Sequence, residues 1–297
     1  MSHSEYKNQD KKFITSSLFG FCGGVRKAVT AFESGREKYG CRIYVLHELV
    51  HNNFVTGRML ELGAVFVEKA EDIPDGSVVL IGAHGVSLAV ENSLQKRCVV
   101  IDATCPRVKA LQKLSSQVKT DEELILLCKA GHPEAEGVLK RAGTVLVYPV
   151  YDLPAIAALP ELKNPVFLTQ TTVSHSLAEA AERMLKERFS NLRYCGSICD
   201  ASSRRQLAAE KLAGICQFVI VVGSAHSSNA AELVNVVKAC GTRAVLLEDS
   251  SNIDELVPDD ISVLGITAGA STPDEVIANV KARLVELGYR DGGTADV

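Results

Sequence analysis

Short β-rich apolar runs alternate with amphipathic stretches along nearly the whole chain. The runs are RIYVL, SVVLIGA, CVVIDA, LILLCKA, PVFLTQ, FVIVVG, RAVLLED and SVLGITA; between them lie patterns such as VKALQKLSSQV, AEAAERMLKERF and NAAELVNVVKAC. Near-continuous apolar strands separated by helices predict parallel α/β sheets covered on both faces. In such sheets binding groups collect at the carboxyl ends of the strands, where the chain turns into a helix.

Those turns follow a pattern. Three carry a cysteine: GFCGGV (Cys22), DATCPRV (Cys105) and SICDAS (Cys199), separated by 83 and 94 residues. A polar turn follows each, LVHNN (His51), AGHPEAEG (His132) and SAHSSNAAE (Ser227), 29, 27 and 28 residues beyond its cysteine. A further turn comes next, GAHGVS (His84), TQTTVS (Thr171) and TAGAST (Ser271), at offsets of 62, 66 and 72. Order and spacing together predict a threefold internal repeat. The expected fold is three similar small parallel-sheet α/β units in a pseudo-threefold trefoil around a common centre. The expected boundaries are 13–104, 105–198 and 199–288, after a disordered arm (1–12, MSHSEYKNQDKK) and before a fraying tail (289–297, YRDGGTADV).

Composition narrows the function classes. Apolar residues make up 46% and charged residues 23% of the 297, the profile of a globular protein with a sizeable core. A net charge of −4 argues against a general nucleic-acid or anionic-membrane surface. No apolar run reaches the ~18 residues of a membrane span. The opening residues lack the apolar core of a secretory signal, so the nine cysteines are expected as thiols in a reducing cytoplasm.

Three thiols contributed one per unit suit a metal centre better than covalent catalysis, which needs one cysteine and a paired base. Structural zinc favours four ligands in close CxxC pairs, and the chain has none. Iron–sulfur clusters favour thiolates, and three ligands on a cubane leave one iron open to substrate. A cysteine elsewhere is more often a small buried hydrophobe; this covers Cys41, Cys98, Cys128, Cys216 and Cys240. Cys195 could replace Cys199 as a ligand, but Cys199 opens the helical run ASSRRQLAAEKL as its counterparts do. Gly23 and Gly24 would let the backbone approach the centre.

The polar turns offer His51, His84, His132, Thr171, Thr172, Ser227, Ser228, Asn229 and Ser271. Taken singly, each hydroxyl is a helix cap. As a set, with several helix N-termini, they suit a phosphate-like anion. Glu134, two residues after His132, could donate a proton in a closed cavity, or simply favour the helix dipole, a part that suits Glu136. GFCGGV is not a dinucleotide fingerprint.

Read together, GFCGGV, VHN, AHGV, DATCP, GHPEAEG, TQTT, SSN and TAGAS, in this order, resemble the 4-hydroxy-3-methylbut-2-enyl diphosphate reductases, the LytB/IspH family, from about Phe13 to Leu287. The resemblance implies a trefoil around a 4Fe–4S cluster held by Cys22, Cys105 and Cys199. It implies a diphosphate among His51, His84, His132, Ser227, Ser228, Asn229 and Ser271, substrate contact by Thr171, and Glu134 as proton source. It further implies reductive loss of an allylic hydroxyl to give isopentenyl and dimethylallyl diphosphate, with electrons from a ferredoxin or flavodoxin-type donor. Leu18-Phe19, Asp200, Ala225-His226 and Ala230-Ala231 depart from the family pattern. An inward-pointing Asp200 would make a cluster harder to reduce. A non-redox 4Fe–4S lyase or synthase, and a cluster-binding paralogue without turnover, stand as alternatives.

Overall fold

A computed structural model describes residues 11–40 and 42–295. In chain order the elements are β1 (Lys12–Ser16), α1 (Gly23–Tyr39), β2 (Ile43–Leu46), α2 (Asn53–Glu61), β3 (Ala64–Val67), β4 (Val78–Ile81), α3 (Leu88–Arg97), β5 (Val99–Asp102), α4 (Pro106–Ser116), β6 (Glu123–Leu127), α5 (Pro133–Leu139), β7 (Leu146–Val150) and α6 (Leu153–Ala157). They continue as β8 (Pro165–Thr169), α7 (His175–Arg188), β9 (Arg193–Tyr194), α8 (Asp200–Ile215), β10 (Phe218–Val222), α9 (Ser228–Ala239), β11 (Arg243–Leu247), α10 (Ile253–Leu256), β12 (Val263–Ala268), α11 (Asp274–Glu286) and β13 (Arg290–Ala295). The described residues fall into two compact units: one takes in residues up to Cys22, His51–Asn53 and those from Asp200 onward, the other Gly23–Val50 and Phe54–Cys199.

The larger unit holds two four-stranded parallel sheets, ordered β3-β2-β4-β5 and β7-β6-β8-β9. Their central strands VVLI and ELILL are buried because helices cover them, as their unbroken apolar sequences require. Leu46, Val79, Ile81 and Leu94 form one apolar cluster of the first sheet. Leu124, Leu126 and Val166 pack on one face of the second, and Ile125, Phe167 and Leu185 on the other. Helix α1 lies close to the first sheet because Gly35 has no side chain; a Cβ there would stand 2.5 Å from Ile101 Cδ1.

The smaller unit holds a five-stranded sheet ordered β11-β10-β12-β1-β13, also parallel throughout. Its first four places repeat the order of the other two sheets. The counterpart of β5 and β9 is β1, the first strand of the chain, which pairs Lys12 with Val263 and Thr15 with Ile266.

Two expectations change here. Phe13 opens no sheet with the residues that follow it; β1 completes the third sheet instead. Each cysteine turn therefore follows the fourth strand of a sheet. The segment expected to fray forms β13, whose backbone pairs with β1 from Lys12↔Arg290 to Ser16↔Ala295. Ladder hydrogen bonds, to which its polar side chains are irrelevant, hold it. Of the expected arm, residues 1–10 lie outside the described residues, and Lys12 already belongs to β1.

Candidate functional site at the cysteine turns

Each of the three cysteines is half-buried and stands directly before a helix: Cys22 before α1, Cys105 as the N-cap of α4, Cys199 before α8. All three are fixed by the same bond. The backbone N–H of Cys105 donates to Ala83 O at 3.0 Å, that of Cys199 to Thr171 O at 2.9 Å, and that of Cys22 to Ala270 O at 3.0 Å. Each acceptor belongs to a polar turn singled out in the sequence: GAHGVS, TQTTVS and TAGAST. A cysteine turn is thus tied to the polar turn of the strand beside its own.

In the larger unit the ties extend further. Asp102 accepts from Thr104 N at 2.9 Å and is bound by Lys109 Nζ, which braces the turn before Cys105. Burial works against ionising this carboxyl, but those bonds outweigh it and hold Asp102 below its usual value. The rings of His84 and His132 meet edge to face with centroids 5.2 Å apart. His132 caps α5, its Nδ1 accepting from Glu134 N at 3.2 Å. A nitrogen that accepts carries no proton, so this imidazole holds its proton on Nε2.

Glu134 is 2% exposed. One carboxyl oxygen accepts from Thr171 N at 2.8 Å and the other from Thr171 Oγ1 at 2.9 Å. Burial pushes its pKa up, against the lowering effect of these two bonds. Thr171 therefore joins Glu134 to the Cys199 turn through consecutive hydrogen bonds. Thr172 takes a different part, accepting from Gln170 Nε2 at 3.3 Å. Glu136 is half-exposed and pairs with Lys140 at 3.3 Å, as a helix-surface carboxylate does.

In the smaller unit Ser271 Oγ donates to His51 O at 3.2 Å. Asn229 is buried and bifunctional: its Oδ1 accepts from Ala270 N at 2.9 Å and its Nδ2 donates to Ser202 Oγ at 3.3 Å. Ser227 caps α9, accepting from Ala230 N at 3.3 Å. Ser228 Oγ is buried without a hydrogen-bond partner. A buried cation that the sequence reading passed over, Arg205, donates to Gly20 O at 2.8 Å in front of Cys22. Its signal was positional: Arg205 and Gln206 fall on the buried stripe of α8 beside Ala208, Ala209 and Leu212.

The remaining cysteines separate from this set. Cys195 extends β9, its N–H donating to Phe167 O at 3.0 Å, and its sulfur packs on the second sheet's apolar cluster. Burial drives Cys128 up to about 12 and Cys216 to about 11, so both are inert thiols. Cys98 is half-buried, whereas Cys240, expected inside, is exposed at the end of α9. An apolar run can end one residue before the surface, and here it does. Cys41 lies outside the described residues.

The departures from the family pattern fall mainly outside. Asp200 is exposed in the first turn of α8, where the helix dipole favours an anion. Ala225 and His226 are exposed. Phe19 is partly exposed beneath Lys281. Ala230 is buried, its Cβ so placed that a Cβ at Gly223 or Gly269 would lie 2.8 or 3.0 Å from it. A Cβ at Gly23 would meet no protein atom within 4 Å, so packing within the chain does not account for that glycine.

One strand order used in three parallel sheets, with a cysteine turn after the fourth strand of each, defines the class: an α/β enzyme fold assembled from a repeated unit. The chain belongs to the LytB family, whose model, described as LytB protein, matches residues 14–285. It is 38% identical over 286 residues to the 4-hydroxy-3-methylbut-2-enyl diphosphate reductase of Actinobacillus succinogenes, covering 93% of this chain and 91% of that protein. The reductase of the same name from Escherichia coli O139:H28 is 39% identical over 285 residues, covering 93% and 89%. Among solved structures, the E-1-hydroxy-2-methyl-but-2-enyl-4-diphosphate reductase from Plasmodium falciparum superposes with a TM-score of 0.89 at 29% identity, covering 97% of this chain and 92% of that one. The family binds an iron–sulfur cluster. No helix among the described residues is long and apolar enough to cross a membrane.

Proposed function

We propose that the chain is an iron–sulfur reductase that removes the allylic hydroxyl of 4-hydroxy-3-methylbut-2-enyl diphosphate, giving isopentenyl and dimethylallyl diphosphate. Family membership and the names of its relatives support the reading. The observation that carries it is the bonded series Glu134–Thr171–Cys199, which sets a proton-holding carboxyl beside a thiol turn.

The donor set fits a cluster. Three half-buried thiols each stand at a helix N-terminus, where the helix dipole favours a bound anionic group. We assign Cys22, Cys105 and Cys199 as ligands of a 4Fe–4S cluster, one from each repeated unit. When bound, the cluster supplies an open iron for the hydroxyl oxygen and a route for electrons.

The chain's own residues do the rest. His132, protonated on Nε2, is a donor to a phosphate oxygen, with His84 against its ring. His51, Ser227, Asn229 and Ser271 complete the diphosphate site with Ser228, whose buried hydroxyl lacks a protein partner. Neutral donors and helix N-termini hold the anion without a basic surface. Thr171 orients Glu134 and contacts the substrate. Glu134 holds its proton at pH values where an ordinary carboxyl has lost it, and delivers it to the allylic carbon skeleton. One C–O bond breaks and one C–H bond forms; two electrons and two protons are consumed and water leaves. A ferredoxin or flavodoxin-type protein of the cytoplasm supplies the electrons.

The test is anaerobic turnover of 4-hydroxy-3-methylbut-2-enyl diphosphate by the brown, cluster-loaded protein with a strong one-electron reductant. Product formation that depends on the reductant is expected. Turnover without reductant would mark a lyase, and a colourless protein that binds zinc at the three cysteines would remove the cluster altogether.

A further inference from the structure

Helix α4 carries an amide on its inner face. Val108, Leu111, Gln112 and Ser115 are its buried positions, and Gln112 is 5% exposed. Ser115 is satisfied, its Oγ donating to Val138 O at 2.8 Å. Gln112 Nε2 is buried with no hydrogen-bond partner.

Its surroundings show what the amide does. A Cβ on Gly85 would lie 2.8 Å from Gln112 Nε2 and 2.8 Å from Thr104 Cγ2. A Cβ on Gly137 would lie 3.2 Å from the same Nε2 and 3.6 Å from Val86 O. The amide occupies a notch that exists because two residues lack side chains. Gly85, held at φ +69°, directly follows His84. Gly137 lies on α5, which His132 caps and which carries Glu134. Thr104 directly precedes Cys105. Arg141 also holds this turn, donating to Val86 O at 3.1 Å and to Glu91 at 2.6 Å. The His84 turn is gripped between α4 and α5, and Gln112 sets the gap.

We propose that Gln112 is a positioning residue: its amide, seated between Gly85 and Gly137, fixes the spacing of His84 and His132 and so the affinity of the site for the substrate's diphosphate. The proposal rests on the reading of those two imidazoles as diphosphate donors. An unbranched side chain of the same length, filling the notch, serves this purpose; a truncated one does not.

The experiment uses the cluster-loaded full chain with Gln112→Ala, Gln112→Asn and Gln112→Met. For Gln112→Ala, KM for the diphosphate substrate rises about tenfold or more while kcat stays within about threefold, and the visible absorption of the cluster is unchanged. Inhibition by inorganic diphosphate weakens in parallel. Gln112→Met restores KM to within about threefold of the parent protein. In ¹⁵N-histidine spectra the signals of His84 and His132 move in the Ala variant and that of His175, on α7, does not. Should the Ala variant fail to fold, the Asn variant is read by the same measures. Unchanged KM and histidine signals in a folded truncation overturn the proposal, as does a loss in kcat and cluster content that Met does not repair. A parent protein that binds inorganic diphosphate but does not turn over the substrate refutes the proposed reaction and leaves the Gln112 test standing on diphosphate affinity.

Discussion

Glu134 sits where ionisation finds no water, and that fact has two consequences at the scale of one residue. In catalysis, a proton held by burial is a proton available for transfer. Glu134→Gln keeps both contacts to Thr171 in shape but removes the proposed proton donor. Turnover should fall about a hundredfold or more with substrate binding retained, as steady-state rates and equilibrium binding will show. In stability the sign follows from the raised folded-state pKa. Below the ordinary glutamate value of 4.5 the carboxyl is protonated both folded and unfolded. As pH rises from there through the raised folded value, the unfolded chain ionises first and the buried acid becomes a cost. Thermal melts of the parent protein and Glu134→Gln should therefore coincide at low pH and diverge in favour of the variant toward neutral and alkaline pH. Parallel curves across that window would show that the carboxyl is not held protonated. His132 belongs to the same scale. Its replacement by alanine removes the cap of α5, costing about 1 kcal/mol of stability, and also the proposed phosphate donor, so Tm and KM should both worsen.

At the scale of elements, the turns matter more than the helices and strands they join. Gly82 opens the turn that bears His84, and a Cβ there would stand 2.8 Å from Glu48 O and 2.9 Å from Leu49 O. Both obstacles are backbone and cannot swing aside. Gly82→Ala should cost about 1–3 kcal/mol by denaturant unfolding, an overpacking penalty. A melt equal to that of the parent protein would mean the turn is looser than its contacts indicate. Turns were also the most legible part of the sequence. The three cysteines, the histidines and the hydroxyls announced themselves by recurrence, and strands such as VVLI and FVIVV by unbroken apolar character. Others did not: β3 (AVFV) and β7 (LVYPV) are short and only partly buried, the two-residue β9 is RY, and β13 (RDGGTA) has no large apolar side chain. Their pairing lies in backbone bonds that side-chain patterns do not record. Gln112 and Arg205 were legible in principle, as polar residues on the apolar stripe of a helix, but only if the stripe is read for exceptions.

For the whole molecule, the repeat is circular in order: the third sheet takes its fourth strand from the start of the chain. No sequence period could reveal this, because a strand's nearest copy in sequence is not its partner in space. Removing residues 1–16 should leave β12 and β13 without the strand between them. The shortened protein should lose the cooperative unfolding of that sheet, and Cys22 its fixed carbonyl anchor. Soluble yield, circular dichroism and cluster content measure this. A truncated protein that melts and loads like the parent would show that β1 is dispensable.

The same strand imposes a timetable on synthesis. Lys12 is made about 250 residues before its neighbour Val263. At about 5–20 residues per second, an emerging β1 waits on the order of ten to fifty seconds for the strand it pairs with. Throughout that interval the apolar residue Phe13, buried in the finished protein, has no sheet to enter. Cys22, nine residues behind it, gains its Ala270 anchor only once that distant turn has been made. For that interval the emerging β1, its apolar residue uncovered, is a segment that calls for protection by a chaperone.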